Sequence, residues 1–303
     1  MSINTCSSTL LEAKEQYINF LKETKKASEN TFLAYMRDIN KFYKYAELIG
    51  LSDYTEVDKT TVEAYKKHLN DEGLSSSSVS RALSALRSLM QFLVSSGTVK
   101  SNPAKEIHND KVQKSLPSVL SNKEIDALLS QPKGKDPKSL RDKAILELLY
   151  ATGIKVSELI ELDISDINLQ LSIVRCVKGD KERIIPLYPL AAKAVAEYIN
   201  SSRMMLVFRQ EETALFVNVA GERMTRQGLW KIIKGYAEAA KIHSTITPHT
   251  LRHSFAAHLL QNGADIHDIQ EILGHTDISS TQRYAQFLKD YHKKNYMKFH
   301  PRA

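Results

Sequence analysis

The chain has 303 residues, 42% hydrophobic and 25% charged, with a formal charge of +7. That length and balance predict a folded protein of two domains and exclude a disordered chain, while the basic excess permits a polyanionic partner without establishing one. Two cysteines far apart, Cys6 and Cys176, exclude a disulfide scaffold and fit a reducing compartment. No segment approaches the roughly 20 apolar residues of a membrane span, because the apolar run 144–154 is short and interrupted by Glu147. The first 16 residues lack the basic and apolar blocks of a signal peptide. A cytoplasmic location without a membrane partner is expected. Residues 1–110 hold 14 basic and 14 acidic side chains, so the whole positive excess lies in 111–303.

The first domain, residues 1–110, reads as helix. Leu10 to Phe20 forms the first. Phe32, Tyr35, Met36, Ile39, Phe42, Tyr43 and Ala46 recur at spacings of three and four and define the second, with Ser28 as its N-cap. Thr60 to Leu69 is a third. Ser75 to Ser96 is a fourth, with Val79, Leu83, Leu86, Met90 and Leu93 buried and Gly97 as its stop. Four such helices make a small bundle. The other face of the fourth helix carries Arg81, Ser84, Arg87 and Ser88, a mixture suited to phosphate oxygens and equally to a solvated surface. Residues 101–121, with Pro103 and Pro117, are polar and aperiodic and read as a linker.

The second domain, 111–303, predicts helices at 122–130 and 140–150. A hairpin follows at 171–187, where Ile173, Val174, Val177, Ile184 and Ile185 flank the turn Lys178-Gly179-Asp180-Lys181. Helices at 191–200 and 227–240 come next, the latter with Trp230 in the core, and then three short helices broken at Gly263 and Gly274. The fold class is mainly α with a small β-hairpin or sheet: an N-terminal helical bundle and a mixed α+β second domain.

Four pieces of this domain carry chemistry. ATGIKVSEL contains Lys155 and Glu158. VKGDKERIIPL contains Lys178, with Lys181 and Arg183 as phosphate contacts or solvated charges. TPHTLRHSFAAHLL sets His249 and Arg252 three apart on a helix, and LGHTDISSTQRYAQF sets Tyr284 nine residues after His275. Singly, none is specific. His249 and His253 have a spacing that holds zinc on helices, but Thr250 stands where a zinc-protease glutamate would, so no metal is expected. His243, His253, His258 and His267 read as surface or structural residues.

In order, spacing and flanks, the four pieces closely resemble the tyrosine recombinase family, the phage integrases and Xer-type site-specific recombinases. The resemblance spans nearly the whole chain, since the helical bundle is similar to the family's SAM-like core-binding domain. It implies a tyrosine recombinase catalytic domain that cuts and religates duplex DNA through a 3′-phosphotyrosyl link, without metal or other cofactor. It places the nucleophile on Tyr284, with Arg252 and His249 from the second motif, His275 from the third and Lys178 from the hairpin. Arg252 is then the bidentate phosphate ligand and His275 a further donor. Lys178 protonates the leaving 5′-oxygen, and His249 serves as the tyrosine's acid–base partner or steadies the phosphate. Where the family has its first arginine, this chain has Lys155. Lysine lacks the planar fork, so slowed cleavage is expected.

The resemblance further implies that the two domains grip DNA from opposite sides. Four protomers work on two sites, either as a homo-tetramer or as a hetero-tetramer with a paralogous recombinase. Tyr291, Tyr296, Met297 and Phe299 of the tail provide a docking face. Xer-like dimer resolution is the favoured task. Mobile-element integration or excision, and a non-cutting DNA-binding protein weakened at Lys155, are the alternatives.

Overall fold

The computed structural model describes residues 6–23, 29–108, 118–179, 181–209, 211–244, 246–274, 281 and 284. The chain divides into two compact units, Met1–Lys114 and Ser115–Ala303. Among the described residues no helix is long and apolar enough to cross a membrane.

The first unit is built from α1 (Cys6–Glu23), α2 (Glu29–Leu48), α3 (Lys59–Asp71) and α4 (Ser76–Ser95). Asp58 caps α3 by accepting from the Thr61 amide at 2.7 Å, and Ser75 caps α4 through the Ser78 amide. Gly97, at φ 75°, follows the Ser96 C-cap in the left-handed conformation that a side chain disfavours. Ser28, the expected cap of α2, lies outside the described residues. The core joins Leu10, Tyr17, Phe42, Tyr65, Val79, Leu83, Leu86 and Met90, matching the apolar spacing of the sequence. It also reaches further than expected. Val99, Ala104 and Ile107 are buried with it, so the start of the apparent linker belongs to this unit. Arg87 explains the attachment: its guanidinium donates to the carbonyls of Ala104 (3.0 Å) and Ile107 (2.8 Å), while Asn102 donates to the Arg87 carbonyl.

The second unit contains α5 (Asn122–Leu129), α6 (Pro137–Thr152), α7 (Val156–Glu161), β1 (Ile167–Asn168), β2 (Ile173–Lys178) and β3 (Lys181–Pro186). Next comes α8 (Pro189–Glu197), which runs through a π-helical turn (Tyr198–Arg203) into α9 (Met204–Leu206). The last described helices are α10 (Arg226–Ala239), α11 (Pro248–Gln261) and α12 (Ile266–Leu273). The strands form one antiparallel sheet in the order β1-β2-β3, with Val174 opposite Ile185 and Cys176 opposite Arg183. Val174, Cys176 and Ile185 are buried while Arg175, Val177 and Ile184 are exposed, as the period of two requires. α6 is buried on nearly every side and is the core helix, packed by α8 and α11. Among the elements that escape the sequence pattern are β1, only two residues long, α7, a six-residue helix inside the first motif, and α9, past the end of the helix expected at 191–200. Trp230, expected in the core, is 43% exposed, with the Lys234 ammonium 5.3 Å from its ring centroid. The buried face of α10 is instead Leu229, Ile233 and Ala237.

Candidate active site

The site assembles where the C-terminal ends of α6 and α12 meet the side chains of α11 and β3. Gly153 ends α6 at φ 57°, and an added Cβ there would lie 2.4 Å from the Phe255 ring. A glycine is therefore required by conformation and by space. Two residues on, Lys155 is the N-cap of α7, and its amide donates to Glu158 Oε2 at 2.8 Å.

Two arginines bind this neighbourhood together. Arg252, 4% exposed, donates to the carbonyls of Gly153 (2.6 Å) and Leu273 (2.7 Å). Arg183 donates to Glu158 Oε2 (2.7 Å) and to the Ile272 carbonyl (2.9 Å). Each guanidinium thus answers orphan carbonyls at the negative end of α12, and Arg252 does the same for α6. Gly274 makes the approach possible, since a Cβ there would meet the Arg183 guanidinium at 2.8 Å. Burial pushes the Glu158 carboxyl up, but the Arg183 bonds and the Lys155 amide prevail and hold it below the usual carboxylate range. Burial presses Arg252 downward against the pull of Glu158 and Tyr284, and a guanidinium stays charged there.

Tyr284 is 1% exposed, its ring packed with Phe255, Ala256, Leu260, Ile269 and Leu273. Its hydroxyl lies 2.6 Å from Nδ1 of His253. His249 lies one turn earlier on α11, exposed, with its ring centroid 6.3 Å from that of His253. Although His249 as a whole is exposed, partial desolvation of its ring lowers its pKa first, and the cations Arg252, Lys155 and Arg226 lower it further. Three cationic side chains therefore act on one imidazole, a field suited to an anion.

Of the residues singled out in the sequence, Tyr284, Arg252, His249 and Lys155 lie in this one neighbourhood. Lys178 ends β2, opposite exposed Lys181 in the register, and its side chain is outside the described set. His275 lies outside the described residues, next after the Gly274 C-cap of α12. Arg183, expected among phosphate contacts or solvated charges, is turned inward onto Glu158, its side chain 13% exposed. On α4, Arg87 is likewise spent on backbone carbonyls. Arg81 forms a two-point ion pair with buried Asp38 (2.7 and 3.1 Å) but keeps about half its side chain exposed. Ser84 donates to the Ser80 carbonyl, and Ser88 lies beside the Tyr17 hydroxyl. Sequence reasoning took His253 as a surface or structural residue and did not single out Arg226. Nothing local in the sequence marks either one, since His253 meets Tyr284 across 31 residues.

Two family models match the chain: the phage integrase family over residues 118–290, and the phage integrase N-terminal SAM-like domain over 15–97. The tyrosine recombinase XerD of Halalkalibacterium halodurans is 44% identical over 291 residues, covering 95% of this chain and 97% of its own. That of Oceanobacillus iheyensis is 44% identical, covering 96% and 99%. Among solved structures, XerH recombinase bound to palindromic difH substrate in a post-cleavage complex aligns at TM-score 0.76 with 19% identity, covering 97% of each chain. The Tn1549 transposon integrase bound to transposon right end DNA aligns at 0.75 with 17% identity, covering 96% and 99%. Those two likenesses describe the fold. The family models and the near full-length identity decide the rest: the chain belongs to the phage integrase family, as a homologue of the XerD tyrosine recombinases with an N-terminal SAM-like domain.

Proposed function

We propose that this XerD-like site-specific recombinase cleaves and religates duplex DNA with Tyr284 as nucleophile. The phenol oxygen attacks the scissile phosphorus, a 3′-phosphotyrosyl bond forms, and the 5′-oxygen leaves with a proton from Lys178. The observation that carries the assignment is the seating of Tyr284 against α11, its hydroxyl held by a side chain of that helix and Arg252 close enough to be felt electrostatically. Arg252 and Lys155 supply the positive field for the transition state, in which charge gathers on the non-bridging oxygens, and His249 and His275 add hydrogen-bond donors. His249, exposed among cations, is suited to the phosphate itself. Lys181 and the exposed flank of Arg81 are phosphate contacts in this proposal, with Ser84 and Ser88 beside Arg81 on α4. Arg87 and Arg183 serve instead to hold structure.

The task is resolution of chromosome or plasmid dimers in the cytoplasm, by four protomers on two sites, with or without a paralogous partner. Residues 1–110 form the core-binding domain and 111–303 the catalytic domain. The tail residues Tyr291, Tyr296, Met297 and Phe299, proposed for docking, lie outside the described residues.

A nicked suicide substrate carrying the recombination site tests this. The wild type is expected to form a covalent protein–DNA adduct and Tyr284→Phe none. An adduct that persists in Tyr284→Phe removes Tyr284 as nucleophile, and bound DNA without any adduct favours a non-cutting protein. Lys155→Arg restores a planar fork. It is expected to speed adduct formation, within the roughly 10²–10³-fold that one oriented donor contributes elsewhere. An unchanged or slower rate would show that position 155 is not the donor assigned here.

A further inference from the structure

The second motif presents its three polar side chains at different depths. His249 is exposed, Arg252 is buried and His253 is intermediate, yet all share one side of α11. The Tyr284 hydroxyl lies 2.6 Å from His253 Nδ1, a short and strong hydrogen-bond distance. The geometry points to His253 as the proton acceptor of Tyr284, a catalytic residue beyond the set already named, which frees His249 for the phosphate. This inference rests on Tyr284 being the nucleophile.

The chemistry requires such a group. A phenol with an ordinary pKa near 10 is a poor nucleophile at neutral pH unless a base takes its proton as it attacks. A neutral imidazole with its proton on Nε2 presents a lone pair at Nδ1. As the Oη–P bond forms, the Oη–H bond breaks and the proton passes to Nδ1, leaving an imidazolium. The P–O5′ bond breaks, and O5′ takes its proton from Lys178. Religation reverses each transfer: the 5′-hydroxyl attacks, and His253 returns the proton to the tyrosine oxygen. Arg252, felt by Tyr284, favours the anionic side of that transfer. Tyr284 is 1% exposed, so the phosphate reaches it only once the ring is uncovered, while the base is already in contact.

The test times adduct formation on the suicide substrate, with DNA binding followed by gel shift. His253→Asn keeps an acceptor oxygen close to the position of Nδ1 but removes the basicity. Adduct formation is expected to slow by about 10²-fold or more with binding unchanged. A fluorinated tyrosine at position 284, whose more acidic phenol needs less help, is expected to recover most of that loss. His253→Gln serves if His253→Asn melts at a markedly lower temperature. An unchanged rate overturns the inference. A faster rate overturns it too, and identifies the contact as one that holds the tyrosine idle. A slow rate that fluorotyrosine does not recover reduces His253 to a structural role. A wild type that forms no adduct instead overturns the assignment of Tyr284, and the inference with it.

Discussion

The two units treat their most deeply buried polar groups differently, although Arg87 of the first, like the arginines of the second, is held by backbone carbonyls. In the first, the phenol oxygens of Tyr54 and Tyr65 are sealed in the core, and neither has a hydrogen-bond partner among the described residues. Their rings stack and cross with Phe42 at centroid distances of 6.2 and 5.0 Å, which is packing by shape. In the second, buried arginines reach backbone carbonyls. Arg252 holds Gly153 and Leu273, Arg203 holds Ala214 and Glu212, and Arg141 holds Val217. A helical bundle that presents a surface to a ligand needs only a stable shape. A site that places a nucleophile against a phosphate, as proposed for the second unit, needs loop ends fixed to within about 0.5 Å, and charged multi-point hydrogen bonds provide that.

Removing one such arginine should break the contrast most sharply. Arg183→Ala leaves the carboxylate of Glu158, 6% exposed, without its ion partner and frees the Ile272 carbonyl. A loss of about 3–5 kcal/mol is expected in urea unfolding, the usual cost of stripping one member from a buried pair. A loss below about 1 kcal/mol would mean that water or another donor replaces the guanidinium.

The same pair sets an acid limit. Glu158 is held below its unfolded value, so its contribution to stability is complete above the ordinary carboxylate pKa of about 4.3 and disappears as pH falls through the lowered folded value. Wild-type stability should therefore drop across that acid window. Glu158→Gln should show a shallower drop, measured as the difference in unfolding free energy between neutral and acid pH. Equal slopes in both proteins would place the acid-sensitive group elsewhere.

What was legible in the sequence follows the range of the interactions. The spacing of Val79, Leu83, Leu86 and Met90 fixes one helix face, so the bundle core can be read locally. Order and flanks single out Tyr284 and Arg252, and the fold brings the two into one neighbourhood. The partners are a different matter. Arg183 looks like a solvated hairpin charge until Glu158, 25 residues away, and Ile272, 89 away, fold against it. Residues 102–107 read as linker because Arg87, the residue that holds them, carries no local mark of that role. His253 escapes for the same reason, since only the folded return of the chain brings Tyr284 to it.

The smallest effect is also the cleanest comparison, because one substitution should change sign between the units. Tyr65 and Tyr198 are both buried, at 1% and 0% exposure. Burial raises the pKa of each, since a phenolate is poorly accommodated there. The Tyr198 hydroxyl, however, donates to the Leu215 carbonyl at 3.0 Å, while that of Tyr65 donates to nothing described. Tyr65→Phe deletes a desolvated group that makes no bond, and it should stabilise the protein or leave it unchanged, by at most about 1 kcal/mol. Tyr198→Phe deletes a made bond and leaves a buried carbonyl short of a donor, which should cost about 1 kcal/mol. Urea unfolding of the two variants decides the matter. If Tyr65→Phe destabilises as much as Tyr198→Phe, the Tyr65 oxygen is bonded in solution, and the first unit buries its polarity in the same way as the second.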